Sequence, residues 1–81
     1  MAWKEVTLGP DRWAVAPVAE RLASAGAWRL VLNCRCAGPT GRAVWAPTGL
    51  QSSSRSDLYA QADRLSDDRV RAVLTEHLRP R

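Results

Sequence analysis

The chain has 81 residues and a formal net charge of +4, from 12 basic and 8 acidic side chains. That length allows one domain, and a chain of this size buries only about 60–65% of the surface its unfolded form exposes. No apolar run approaches the ~20 residues of a membrane span, and Met1-Ala-Trp-Lys-Glu offers no apolar signal segment. The expectation is a soluble, cytoplasmic protein with no membrane partner, whose cysteines stay reduced.

Composition adds two constraints. Four tryptophans supply much of the apolar surface, since each can bury roughly 150–250 Å². Phe and Ile are absent, and Lys, Asn and Tyr each occur once. These residues use AT-rich codons, so the gene reads as coming from a high-GC genome, bacterial or viral. The same bias weakens any argument that Arg was selected over Lys for its geometry.

Residues 3–8, WKEVTL, alternate loosely and read as a strand stopped by Gly9-Pro10. Asp11 to Gly26 reads as helical, with Trp13, Val18, Leu22 and Ala25 as its apolar face. Pro17 leaves two readings open. Either the helix kinks there, or residues 13–16 are extended and Pro17 takes the first helical position. Both make residues 17–25 a helix, with Gly26 as its C-terminal stop.

Trp28 to Cys36 alternates strictly. Trp28, Leu30, Leu32, Cys34 and Cys36 share one face, and Arg29, Val31, Asn33 and Arg35 share the other. Residues 37–41 supply turn chemistry. Arg42–Ala46 returns as a strand, with Val44 opposite Ala43 and Trp45, and Pro47-Thr-Gly49 ends it. Residues 51–56 form a polar linker. Residues 57–65 are helical, Ser66 caps a second helix, and Asp67 and Asp68 suit the dipole of its first turn. Val70, Val73, Leu74, His77 and Leu78 form the clearest helical stripe in the chain, which Pro80 closes.

The predicted fold is a small two-layer α+β domain over residues 1–81, in the order β-α-β-β-α-α. A three-stranded antiparallel sheet, or a four-stranded one if residues 13–16 add a strand, carries helices on one face. Residues 1–50 form the strand, helix and hairpin part, 51–56 the linker and 57–79 the helical part.

No catalytic, metal or cofactor site is expected. Cys34 and Cys36, two apart on a strand, sit at the outer limit for a disulfide, and a zinc site needs four ligands. They read as core filler beside Leu30 and Leu32. His77 reads as a packing residue near a helix end. Ser52, Ser53 and Ser54 lack a nucleophile-elbow setting. Gly38-Pro-Thr-Gly41 lacks the ending of a phosphate loop and opens a strand instead of a helix.

Charge is the informative feature. From Arg21 to Ser56 the chain carries five arginines and no Asp or Glu, whereas residues 57–81 carry five basic and five acidic side chains. The candidate partner-binding residues are therefore Arg29, Asn33, Arg35, Arg42, Arg21 and Arg55, on the outer face of the hairpin and beside it. A bare cluster of arginines there attracts an acidic protein or nucleoprotein surface. The functional expectation is a non-enzymatic binding or inhibitor protein, monomeric or homodimeric through an exposed strand edge. Small size, codon bias and the lack of a catalytic site suit the anti-defence inhibitors of phages and mobile elements, such as anti-CRISPR proteins. The alternative is a small nucleic-acid-binding regulator of the antitoxin kind.

Overall fold

A computed structural model describes residues 4–23, 26–38 and 41–79. The expectations for Trp3, Ala25, the Pro39-Thr40 part of the turn and Pro80 lie outside the described residues. The elements run β1 (Lys4–Leu8), β2 (Asp11–Leu22), β3 (Ala27–Cys36), β4 (Ala43–Ser52), α1 (Arg55–Asp63) and α2 (Asp67–Leu78). The strands form one antiparallel sheet in chain order, β1-β2-β3-β4. The small α+β class holds, and the order is β-β-β-β-α-α.

The expected helix over residues 17–25 is not formed. Residues 11–22 make a twelve-residue strand instead, and Gly26 (φ +59°) belongs to the β2–β3 connection. Pro17 explains both the wrong expectation and its resolution. The Ala37 N–H donates to the Arg12 carbonyl at 2.8 Å, so even-numbered residues of β2 aim their backbone groups at β3. Hydrogen-bonded and non-hydrogen-bonded pairs alternate in an antiparallel ladder. Pro17, opposite Leu32, therefore sits where the β2–β3 ladder asks for no N–H, and the proline costs it nothing. Pro47 repeats the device. Opposite Val31 in β4, it also falls at a position whose backbone faces away from β3, so the strand continues through it to Ser52.

Beyond Pro47, β4 carries a bulge. The pairing passes from Val31–Pro47 to Arg29–Gln51, so Leu30 faces three residues of β4. The side chain of Thr48 ties the bulge to the Leu30 carbonyl. Thr48 Oγ1 donates to it at 2.9 Å and accepts from the Leu50 N–H at 3.2 Å. The shift is an even number of residues, so side chains keep their faces across it. Leu50 can thus reach the same apolar cluster as Leu30.

One face of the sheet is sealed by the helices. Val6, Trp13, Val15, Leu32, Cys34 and Ala46 meet Val70, Val73 and Leu74 of α2, and Leu30 meets Leu58 and Ala62 of α1. The Trp13 Nε1–H finds no acceptor in this core, a cost the packing around it must offset. Both helices start on serine. Ser54 Oγ accepts from the Asp57 N–H at 3.3 Å, and Ser66 Oγ from the Arg69 N–H at 3.1 Å. The cap expected at Ser66 is present, whereas α1 begins two residues earlier than expected and β4 extends into the expected linker. Of the expected stripe, Val70, Val73 and Leu74 are buried and Leu78 packs against the core, but His77 is exposed.

Two predictions follow from these bonds. Thr48→Val keeps the β-branched shape but removes the bond to the Leu30 carbonyl, and should cost about 0.5–1.5 kcal/mol in urea unfolding with the sheet retained. Lys4 Nζ bonds Asp67 Oδ1 at 2.7 Å and holds that carboxyl below its ordinary range. A carboxyl whose folded pKa is depressed contributes stability above its unfolded pKa and loses it as pH falls through the folded value. The urea midpoint should therefore drop on acidification below about pH 4, and the drop should be smaller in Asp67→Asn. Equal drops in the two proteins would remove Asp67 from the account.

Candidate interaction surface

The other face of the sheet carries no helix. Cross-strand register places side chains on it in rows: Thr7 with Arg12; Glu5 with Ala14, Arg35 and Ala43; Ala16 with Asn33 and Trp45; Val18 with Val31 and Pro47; Glu20 with Arg29 and Gln51. Its centre is small and apolar. Val31 is only 1% exposed and belongs to neither helix-side cluster, because Val18 and Pro47 flank it on both neighbouring strands. Trp45 is the one large hydrophobic side chain left exposed among the described residues, at 55%.

The six arginine-site residues expected from sequence do not form one patch. Arg29, Asn33 and Arg35 share the open face, as alternation requires. Arg29 is not bare, however. Its Nε donates to Glu20 Oε1 at 2.8 Å across the β2–β3 ladder. Both side chains are about two-fifths exposed, so the pair adds little stability, but it cancels the charge. Arg21 lies opposite Trp28 on the helix side of the sheet, and Arg55 stacks over the Trp28 ring, 5.2 Å from its centroid. Arg42 precedes β4, where its carbonyl accepts from the Cys36 N–H at 2.8 Å. Alternation sets it on the helix side too, beyond the end of the core.

What remains on the open face is a smaller and different constellation. Arg35 is exposed and has no carboxylate within ion-pair distance among the described residues. Asn33 pairs directly with Trp45, and Arg35 is the diagonal neighbour of Trp45 on the same face, within reach of long side chains. Arg12 is diagonal to Arg35 on the other side, held loosely by Glu5 at 3.5 Å. Sequence reasoning missed Arg12 because it assigned that segment to a helix entry. Reading residues 11–22 as a strand, with Trp13 inward, would have put Arg12 outward. Trp45 was visible as a residue opposite in facing to Val44, but not as an uncovered one.

The chemistry of the cysteines and of His77 is distinct from that of the open face. Cys34 is buried, and burial pushes its thiol up to about 11, away from the thiolate that a nucleophile or metal ligand requires. Cys36 is partly exposed. His77 lines a shallow groove of about 340 Å³ between α2 and the β4 bulge, with Thr48, Arg69 and Glu76. Its Nδ1 lies 3.0 Å from the Val73 carbonyl, which can only accept, so the bond places the proton on Nδ1. Among the described residues no three His, Cys, Asp or Glu side chains converge on a point, and none of the helices is long and apolar enough to cross a membrane.

No family model, curated protein or solved structure matches the chain.

The two thiols should separate in alkylation at neutral pH. Cys36 should label in the native protein, and Cys34 only at the rate of unfolding. Equal native rates, followed by peptide mass spectrometry, would contradict the burial of Cys34.

Proposed function

We propose that the protein is a non-enzymatic binding protein that docks the open face of its sheet on an acidic surface of a bacterial protein or nucleoprotein and blocks it. The observation that carries this reading is Trp45, 55% exposed on an uncovered sheet face, with Arg35, which has no ion-pair partner among the described residues, as its diagonal neighbour. Trp and Arg are the side chains that most often dominate interface energetics. Small residues around them, Ala14, Ala16 and Ala43, let a partner approach the sheet closely. Occluding a surface requires no reaction, which suits a chain whose buried thiol is held protonated. The inhibitory, anti-defence setting expected from size and codon bias belongs to this reading, as does a reducing cytoplasm that keeps Cys34 and Cys36 as thiols.

The second reading, nucleic-acid binding, is favoured by the same triad viewed differently. Trp45, Asn33 and Arg35 on an open sheet face resemble in kind a stacking platform with a phosphate contact. The helices give it no support. α2 spends its apolar stripe on the core, and its first turn carries Asp67 and Asp68, which repel phosphates.

The test is capture of partners from a high-GC bacterial lysate with the full chain, with and without nuclease, using wild type, Trp45→Ala, Arg35→Glu and, as a control on the helix side, Arg64→Glu. The expected result is a discrete protein that survives nuclease, is retained by Arg64→Glu and is lost by the other two variants. Capture abolished by nuclease, with affinity for single strands falling steeply with salt, would replace the first reading by the second. A partner retained by both Trp45→Ala and Arg35→Glu would overturn the assignment of the open face.

A further inference from the structure

The two edges of the sheet are finished differently. On the β1 side, two outward-facing backbone groups are capped by helix side chains. Arg71 Nε donates to the Thr7 carbonyl at 3.1 Å, and the Tyr59 hydroxyl accepts the Ala19 N–H at 3.2 Å. On the β4 side the bond from Cys36 N–H to the Arg42 carbonyl fixes the phase of the ladder. Even-numbered residues of β4 through Ala46 face β3, and Ala43, Trp45 and Pro47 turn their backbone groups outward. No side chain among the described residues caps these groups. Between Ala43 and Ser52 the strand also carries no charged side chain, the usual protection of an exposed edge. Pro47 removes one outward donor but keeps its carbonyl as an acceptor.

We propose that β4 pairs antiparallel with β4 of a second copy, about a two-fold axis at Trp45. In this register each Trp45 N–H donates to the Trp45 carbonyl across the axis, and each Ala43 N–H to the carbonyl of Pro47 of the partner subunit. The proline is used only as an acceptor, and every paired residue from Ala43 to Pro47 lies within β4. Moving the axis by one residue, to Val44, pairs Pro47 with Gly41, outside the strand. The contact is isologous, with the same segment serving both copies.

A second copy is the occupant because the side chains complement themselves as the backbone does. The neutral strand opposes no like charges, and Arg42 falls across from Thr48 of the partner subunit. Trp45 lies directly across from its mate on the open face, so the ring left 55% exposed in one copy gains its missing neighbour. The dimer leaves the outer surface of both sheets open. Trp45 serves both proposals, and Arg35→Glu, on β3 and away from the edge, separates them: it should weaken docking and leave the dimer intact.

The test is sedimentation equilibrium of the full chain from low micromolar to millimolar concentration, with amide exchange measured at both ends of the range. The expected result is a mass rising from 8.9 kDa to twice that, with the Ala43 and Trp45 N–H groups becoming protected in step. Ala43→Pro, which removes an N–H that the β3–β4 ladder does not use, should abolish the dimer. Trp45→Glu, which sets two carboxylates across the axis, should do the same with the circular dichroism spectrum unchanged. Wild type that stays monomeric throughout would overturn the proposal. So would a dimer in which the Ala43 and Trp45 amides exchange freely, a reading that holds even if Ala43→Pro fails to fold. A dimer unaffected by Trp45→Glu, or an edge that binds an extended peptide while the chain never self-associates, would overturn it equally.

Discussion

Two helices of nine and twelve residues cover one face of a four-stranded sheet and leave the other to solvent, and the properties of the protein divide along that line. On the covered side lie Val6, Val15, Leu30, Leu32, Leu58, Val70, Val73 and Leu74, with Trp13 and the Cys34 thiol, all below a tenth exposed. On the open side lie alanines, Val18 and Val31, with Trp45 uncovered at one edge. The open face is kept compatible with water by small side chains and by cross-strand ion pairs at Glu5–Arg12 and Glu20–Arg29.

Much of this was legible in the sequence where alternation was uninterrupted. The facing of every residue from Trp28 to Cys36 follows from period two, as does the opposition of Val44 to Trp45. The cap at Ser66 and the buried run Val70, Val73, Leu74 follow from cap chemistry and a 3.6-residue period. Two prolines hid the rest. A proline breaks a strand only where its N–H would enter a ladder bond, and the phase of the ladder is a property of paired strands that a single segment does not display. Pro17 thus concealed the outer half of β2, and Pro47 concealed half of β4 and the bulge behind it. The weak helical spacing of Trp13, Val18 and Leu22 filled the gap with the wrong element.

The arginine surface was misjudged for a related reason. Counting charges from Arg21 to Ser56 gave an acid-free span, but Glu20 stands one residue outside it and crosses the ladder to Arg29. Sequence windows measure proximity along the chain, whereas charge is cancelled across strands. The surface that survives is narrower, with Arg35 in place of a five-arginine field and Arg12 joining it from a segment first assigned to a helix. It is also more specific, because an exposed indole beside a single free guanidinium defines a shape as well as a sign.

The order of elements has a consequence for synthesis. All four strands precede both helices, so the apolar face of the sheet has no cover until residues 55–78 have left the ribosome. The bonds that close the structure join β1 to the start of α2 and the residues just before it. Lys4 reaches the Leu65 carbonyl and Asp67, and Arg71 reaches the Thr7 carbonyl, at separations of 61 to 64 residues. A nascent sheet of consecutive hairpins therefore waits, with its core face wet and its β1 edge uncapped, for the last helix to arrive. Arrival of α2 thus covers the core face and caps the first strand together.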